Sequence, residues 1–234
     1  MKLLNIDANA KTIKGQKKGY QTAILYLAPA KLSGYEVCPM RSKGCTDACL
    51  NTAGRGRMDN TQNARIRKTK AFMTQRADFM VALVKEIEAH IRRAGRKDLI
   101  PVVRLNGTSD VPWENISFKQ GGKKWKNIME RFPKIQFYDY TKRPSRPNAP
   151  KNYHLTFSLA EDNDDNARQA LKNKMNVAVV FDELPEKFWR RKVIDGDETD
   201  LRFKDGKGKI IGLKAKGPAK KDTSGFVRRL NVLA

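Results

Sequence analysis

The sequence predicts an α/β protein with the architecture of a small or incomplete (β/α) barrel. Short apolar segments alternate with helical patterns along the chain, and this alternation is typical of a parallel sheet with crossover helices. The apolar run 177–181 is of the kind that parallel sheets bury on both faces. With 234 residues and no visible internal boundary, we predict a single domain over 1–234 with a basic C-terminal segment from about 202 to 234.

Each element follows from a local pattern. Strands are predicted at 21–27, 100–105, 135–138, 153–157 and 177–181, with shorter ones at 193–194 and 210–213. A long helical region is predicted over 60–94, because apolar residues recur at helical spacing and Gly95 suits the position just past the end. A break near Thr74 would divide it into two helices. Further helices are predicted over 123–131 and 165–174.

The charge balance indicates the kind of partner. The chain has 48 Lys and Arg against 25 Asp and Glu, which gives a net charge of +23. Because this exceeds what solubility requires, we expect nucleic acid or another polyanion as a partner. No stretch approaches the ~18 apolar residues of a membrane span, and the first 30 residues lack the apolar core of a signal peptide. We therefore expect no membrane association and a reducing cytoplasm.

All three cysteines of the chain lie in one short segment, which we call the cysteine loop (38–49). Cys38, Cys45 and Cys49 have C-x6-C-x3-C spacing, and thiolates are ligands for zinc and for iron–sulfur clusters. A set of three favours a [4Fe–4S] cluster with one iron open or held by a non-cysteine ligand. Zinc would take a fourth ligand from His90, His154, a carboxylate or another group. Three unrelated thiols are the remaining interpretation.

Polar residues follow almost every predicted strand. In parallel α/β folds the functional groups lie in loops that leave the carboxyl ends of the strands, so we expect these residues to share one site with the cysteines. The predicted catalytic residues are Asn106, Asp110 and Asp139. The residues predicted to bind a cofactor are Arg104, Ser109, Lys142 and His154.

Two stretches concentrate the positive charge. From 61 to 76 there are five basic residues and no acid, and from 202 to 221 there are eight basic residues and one acid. Such stretches suit a phosphate backbone, although a solvated face is the common alternative. The predicted nucleic-acid contacts are Arg55, Arg57, Arg65, Arg67, Lys68, Lys70, Lys214 and Lys216.

Three functional hypotheses follow. The first is a [4Fe–4S] protein with a basic nucleic-acid- or anion-binding surface, whose open iron is suited to redox or Lewis-acid chemistry. The second is a zinc-stabilised nucleic-acid-binding protein without catalysis. The third is a Mg²⁺-dependent nuclease that uses the strand-end carboxylates Asp110, Asp139 and Asp182.

The chain also resembles the phage family named for mycobacteriophage gene product 88. The matching stretches are 26–29, 33–34, 38–39, 44–45, 49–50, 53–56, 104–110, 137–142, 152–158, 195–197, 200–203 and 213–217. This resemblance implies a phage origin and action in a bacterial cytoplasm. A weaker resemblance, of layout alone, is to radical-SAM enzymes, which hold a cluster in a cysteine loop after the first barrel strand. Their C-x3-C-x2-C spacing differs from the one here, and Ala48 replaces their aromatic residue.

Overall fold

A computed structural model describes residues 1–7 and 9–230 and contains a ten-stranded, mostly parallel sheet. The strands are β1 (Leu4–Ile6), β2 (Tyr20–Leu25), β3 (Ile100–Arg104), β4 (Phe118–Gln120), β5 (Lys123–Trp125), β6 (Gln136–Thr141), β7 (Tyr153–Ser158), β8 (Asn176–Phe181), β9 (Lys187–Phe188), β10 (Arg191–Asp195), β11 (Ile210–Lys214) and β12 (Val227–Arg228). The helices are α1 (Ala10–Gln16), α2 (Lys43–Asp47), α3 (Asp59–Thr74), α4 (Arg76–Gly95), α5 (Ile128–Arg131) and α6 (Asp164–Lys172).

The pairing order across the sheet is β1-β2-β3-β6-β7-β8-β11-β10-β9. The strands from β2 to β10 in this order pair in parallel, whereas the terminal strands β1 and β9 are antiparallel to their neighbours. The short strand β12 pairs with the end of β8, at Val180 and Phe181. The α/β class and the parallel sheet are therefore confirmed, and the carboxyl ends of the central strands meet at one edge.

The core lies between the sheet and the long helices. Helix α4 buries Phe79, Met80, Leu83 and Val84 against the same apolar cluster that contains Val103 of β3. Each fully buried side chain of this kind contributes roughly 1.5–3 kcal/mol. Strand β8 is buried at five of its six positions, as the apolar run 177–181 predicts. This packing holds in place the sheet edge from which the loops after the strands extend.

The predicted break in the long helical region is confirmed. Helix α3 ends at Thr74 and α4 begins at Arg76, with Gln75 between them in a non-helical conformation. The predicted helix over 123–131 is wrong in its first half, where β5 pairs with β4 in a separate two-stranded sheet. Gly121 and Gly122 both have positive φ and form the two-residue turn that tight hairpins prefer. Only α5 is helical in this region.

Within the residues that the structure describes, no helix has both the length and the apolar character that crossing a membrane requires.

Candidate cysteine site at the carboxyl edge of the sheet

The structure brings the three cysteines together beyond the carboxyl end of β2. Cys45 lies in α2, Cys49 precedes a 3₁₀ turn (Leu50–Thr52), and all three thiols are half-buried. Burial, with smaller contributions from the neighbouring thiols of Cys49 and Cys45, raises the pKa of Cys38 to about 12. Burial also raises the pKa of Cys49, with an added contribution from Cys45. The three side chains therefore lie close enough to influence one another electrostatically.

The loop that follows β3 supports Cys38. The backbone amide of Asp110 donates a hydrogen bond to the carbonyl of Val37 at 2.8 Å, and the Cys38 thiol lies 3.7 Å from the carbonyl of Thr108. The Asp110 carboxylate accepts hydrogen bonds from the Thr141 hydroxyl at 2.8 Å and from the Lys142 amide at 2.9 Å. Asp110 thereby joins the loops after β2, β3 and β6 beside Cys38.

Helix α2 is anchored by a carboxylate from another part of the sheet edge. The Ser42 hydroxyl accepts a hydrogen bond from the Cys45 amide at 3.0 Å and caps the helix. Glu161, in the turn after β7, accepts hydrogen bonds from the Ser42 hydroxyl and the Gly44 amide, both at 2.6 Å. These contacts fix the position of Cys45. The sequence analysis did not identify Glu161, because a single glutamate in a turn has no distinctive local pattern.

Two buried cations lie beside Cys49. Arg65 of α3 is 9% exposed, donates a hydrogen bond to the Asn51 side chain and lies over the Tyr26 ring at 5.0 Å. Lys142 is 8% exposed and donates from Nζ to the Ser158 hydroxyl at 2.7 Å. Both cations act to lower the pKa of Cys49 against the effect of burial. Among the described residues, neither has a carboxylate within ion-pair distance.

An unpaired buried charge is costly, and proteins normally pair such groups. The surroundings of Cys49 thus have an excess of positive charge at a depth where solvent screens poorly. An anionic occupant, including cysteine thiolates joined to a metal centre, would balance it.

Asn106 and Ser109, which are both predicted site residues, organise the loop after β3. The Asn106 side-chain oxygen accepts hydrogen bonds from the Ser109 hydroxyl at 2.8 Å, the Val111 amide at 3.0 Å and the Trp113 indole at 3.1 Å. With Asn106 only 2% exposed, these contacts hold the loop in one conformation beside Cys38. Their predicted roles in catalysis and cofactor binding stay predictions.

Asp139 lies beneath this loop. It is fully buried, and it accepts hydrogen bonds from the Asn106 amide at 2.8 Å and from the Tyr153 hydroxyl at 2.8 Å. Burial raises the pKa of Asp139 to about 7, although Arg104 and the hydrogen bonds act in the opposite direction. Asp182 of the nuclease hypothesis lies after β8, within 3.8 Å of Arg229. The carboxylates of this hypothesis therefore already have partners within the protein.

The remaining predicted residues lie in other environments. Arg104 donates a hydrogen bond to the Asp200 carboxylate at 2.9 Å and lies over the Tyr140 ring. His154 lies near Arg202, whose positive charge adds to burial in lowering the pKa of the imidazole. Burial lowers the pKa of His154 to about 4, so the imidazole is neutral. His90 is fully buried, with Nε2 at 3.1 Å from the Gln21 carbonyl.

Across the described part of the chain, no group of three or more His, Cys, Asp and Glu side chains is arranged to hold a metal ion as it stands. The cysteine side chains would therefore have to turn towards one another to share a centre.

The predicted nucleic-acid residues divide between surface and interior. Arg65 and Lys68 are turned inward, where Arg65 donates to the Asn51 side chain and Lys68 Nζ donates to the Leu3 carbonyl at 2.8 Å. They therefore do not extend an exposed phosphate-binding face. The exposed members of the set are Arg55, Arg57, Arg67, Lys70, Lys214 and Lys216.

Fold and site together define a mostly parallel α/β protein with a cysteine loop at the carboxyl edge of its sheet. The Gene product 88 family model matches residues 1–230, so the chain belongs to this phage family, as the sequence resemblance implied. Comparison with curated proteins and with solved structures found no match.

Proposed function

We propose that Cys38, Cys45 and Cys49 hold a [4Fe–4S] cluster. The observation that carries this proposal is the pair of buried cations, Arg65 and Lys142, beside a cysteine loop in which burial makes the thiols of Cys38 and Cys49 resist ionisation. Three thiolates bound to such a cluster give a centre with net negative charge, which these cations would balance. A cluster would also explain why every cysteine of the chain lies in one loop.

The cluster supplies an iron with one position not taken by cysteine, which is suited to redox or Lewis-acid chemistry. The protein residues around it have distinct tasks. Arg65 favours the thiolate of Cys49, and Glu161 fixes Cys45 through α2. Lys142 and Ser158, which are hydrogen-bonded to each other, offer donors to an anionic group at the same edge.

Zinc is the second occupant that the thiols would suit. The predicted fourth ligands, His90 and His154, lie in other environments, so a zinc site would complete its set with Asp110 or with water. The metal would then stabilise the loop of a nucleic-acid-binding protein without catalysis.

We further propose that the sheet curves as an incomplete barrel with the cysteine site at its open end. The site residues come from loops after β2, β3, β6 and β7, which supports this arrangement. We place the protein in the host cytoplasm, where reducing conditions keep thiols available as metal ligands.

The test is anaerobic purification of the full chain, followed by an absorption spectrum and iron, sulfide and zinc analysis of one sample. We expect a broad band near ~400 nm and about four irons per chain. Separate Cys38→Ser, Cys45→Ser and Cys49→Ser variants should lose iron. Met40→Ala, at an exposed position in the same loop, is the matched control and should retain it. Colourless protein with stoichiometric zinc, or iron content unchanged in all three variants, would overturn the cluster.

A further inference from the structure

We infer that single-stranded nucleic acid binds to a basic surface formed jointly by the segments 50–58 and 214–221. This inference adds a partner beside the cysteine site and does not depend on which metal the site holds. It rests on the adjacency of the two segments, on their unpaired cations and on large apolar side chains exposed among them.

The two basic segments are far apart in sequence and meet in the structure. The 3₁₀ turn Leu50–Thr52 contacts the 3₁₀ turn Gly217–Lys221. The approach is so close that a Cβ added to Gly217 would lie 2.8 Å from the Cβ of Ala53. The first of these turns leads directly into the turn Gly54–Arg57, which carries Arg55 and Arg57, and the second carries Lys220 and Lys221. These basic residues therefore belong to one continuous surface.

We call this surface the joint basic surface and define it by five exposed cations. They are Arg55, Arg57, Lys214, Lys220 and Lys221. Among the described residues, none of the five has a carboxylate within ion-pair distance. Lys216 lies between them in sequence but pairs with Asp197 at 2.7 Å, so it is not counted. A cluster of unpaired cations attracts a chain of phosphates by releasing its bound counterions.

Two exposed apolar side chains within this surface favour a single strand over a duplex as the ligand. Leu50 is 60% exposed and Met58 is 53% exposed, and they flank Arg55 and Arg57 along the chain. A duplex exposes its base faces to such side chains only where a base step is unstacked, which costs free energy. A single strand offers both phosphates and base faces that are already unstacked, so apolar side chains reach them without the cost of unstacking a duplex.

The surface adjoins the cysteine site. Cys45 packs on the apolar cluster that includes Ala215 and Ala219, and Cys49 immediately precedes Leu50. A bound strand would therefore pass beside the cysteine loop, within reach of the donors at the sheet edge.

Binding is measured by fluorescence anisotropy with labelled single-stranded DNA, single-stranded RNA and a DNA duplex of equal length, using protein of known metal content. We expect the single strands to bind more tightly than the duplex, and the comparison of DNA with RNA identifies the nucleic acid. For Arg57→Gln/Lys220→Gln we expect about a tenfold loss of affinity and a salt slope shallower by about 1.4, as for two lost phosphate contacts on a single strand. Leu50→Ser/Met58→Ser should weaken the single-strand complex and leave duplex binding unchanged.

Lys119→Gln/Lys124→Gln is the matched control, because it also removes two positive charges from exposed positions. The two lysines lie opposite each other in the β4–β5 hairpin, away from the joint basic surface in sequence. Its affinity should stay close to that of the unmodified chain, with thermal melting confirming that each variant folds. Equal losses in the two charge variants, duplex binding as tight as single-strand binding, or affinity independent of salt would overturn the inference. Metal analysis of the same samples tests the cluster proposal, whereas anisotropy tests strand binding. Failure of one is therefore distinguishable from failure of the other.

Discussion

Asp139 and Tyr153 form a buried hydrogen bond, in which the Tyr153 hydroxyl donates to the Asp139 carboxylate at 2.8 Å. The same carboxylate accepts hydrogen bonds from the amides of Asn106 and Leu105, the first residues after β3. Asp139 thus joins β6, β7 and the loop that supports Cys38. The protonation state of this buried carboxyl group therefore acts on contacts of all three segments.

The first prediction concerns the pH dependence of stability. Burial raises the pKa of Asp139 to about 7 in the folded protein, whereas an unfolded aspartate titrates near ~3.9. The folded state therefore binds this proton more tightly, and its stabilising effect is complete below about pH 4 and lost as the pH rises through 7. We expect Asp139→Asn to abolish this part of the pH dependence, while it lowers stability overall because an amide has one acceptor oxygen.

Urea unfolding at several values between pH 4 and pH 8 measures the effect. Asp162→Asn, at an exposed position, is the control and should leave the pH profile as it is. An unchanged profile in Asp139→Asn would show that Asp139 titrates normally in the folded protein.

The second prediction concerns the close packing of α2. A Cβ added to Gly44 would collide with the Ser224 hydroxyl oxygen and lie 2.8 Å from the Cβ of Phe226 and 2.9 Å from a Glu161 oxygen. We expect Gly44→Ala to destabilise the protein by about 1–3 kcal/mol through overpacking and to lower its metal content. Gly95→Ala meets open space at the end of α4 and should be neutral in both measurements. Chemical denaturation and metal analysis of the two variants test this prediction. Equal stability and equal metal content in Gly44→Ala and Gly95→Ala would contradict it.

The third prediction concerns the charge beside Cys49. Because Arg65 lowers the pKa of this thiol, Arg65→Gln should raise it and slow the alkylation of Cys49 in metal-free protein at fixed pH. Arg67→Gln, on the exposed face of the same helix, should leave the rate unchanged. Peptide mass spectrometry with iodoacetamide gives the rate for each cysteine. Faster alkylation of Cys49 in Arg65→Gln would show that Arg65 acts as a steric shield.

The fourth prediction concerns the anchor of α2. Glu161→Ala removes the acceptor for the Ser42 hydroxyl and the Gly44 amide, so we expect a loss of about 1–3 kcal/mol and faster alkylation of Cys45. Asp162→Ala removes the same charge from the adjacent exposed residue and should change stability by less than about 0.5 kcal/mol. Equal alkylation rates of Cys45 in the two variants would mean that the loop is held by other contacts.

The local sequence predicted most of the elements that frame the site. The break near Thr74, the buried strand 177–181 and the polar residues after the strands all follow from patterns among near neighbours. The hairpin at 118–125 was missed, because its strands are short and polar and the turn depends on Gly121 and Gly122 rather than on apolar periodicity.

The sequence by itself determined the class of the fold, the family and the clustering of the thiols, because each is expressed in spacing along the chain. Only the tertiary structure decided which basic side chains of α3 face the interior and which face solvent. Arg65 and Lys68 are buried while Arg67 and Lys70 on the same helix are exposed. Likewise, the contact of Ala53 with Gly217 and the hold of Glu161 on α2 join residues that are remote in sequence. Such contacts arise from the packing of whole elements, which no local pattern encodes.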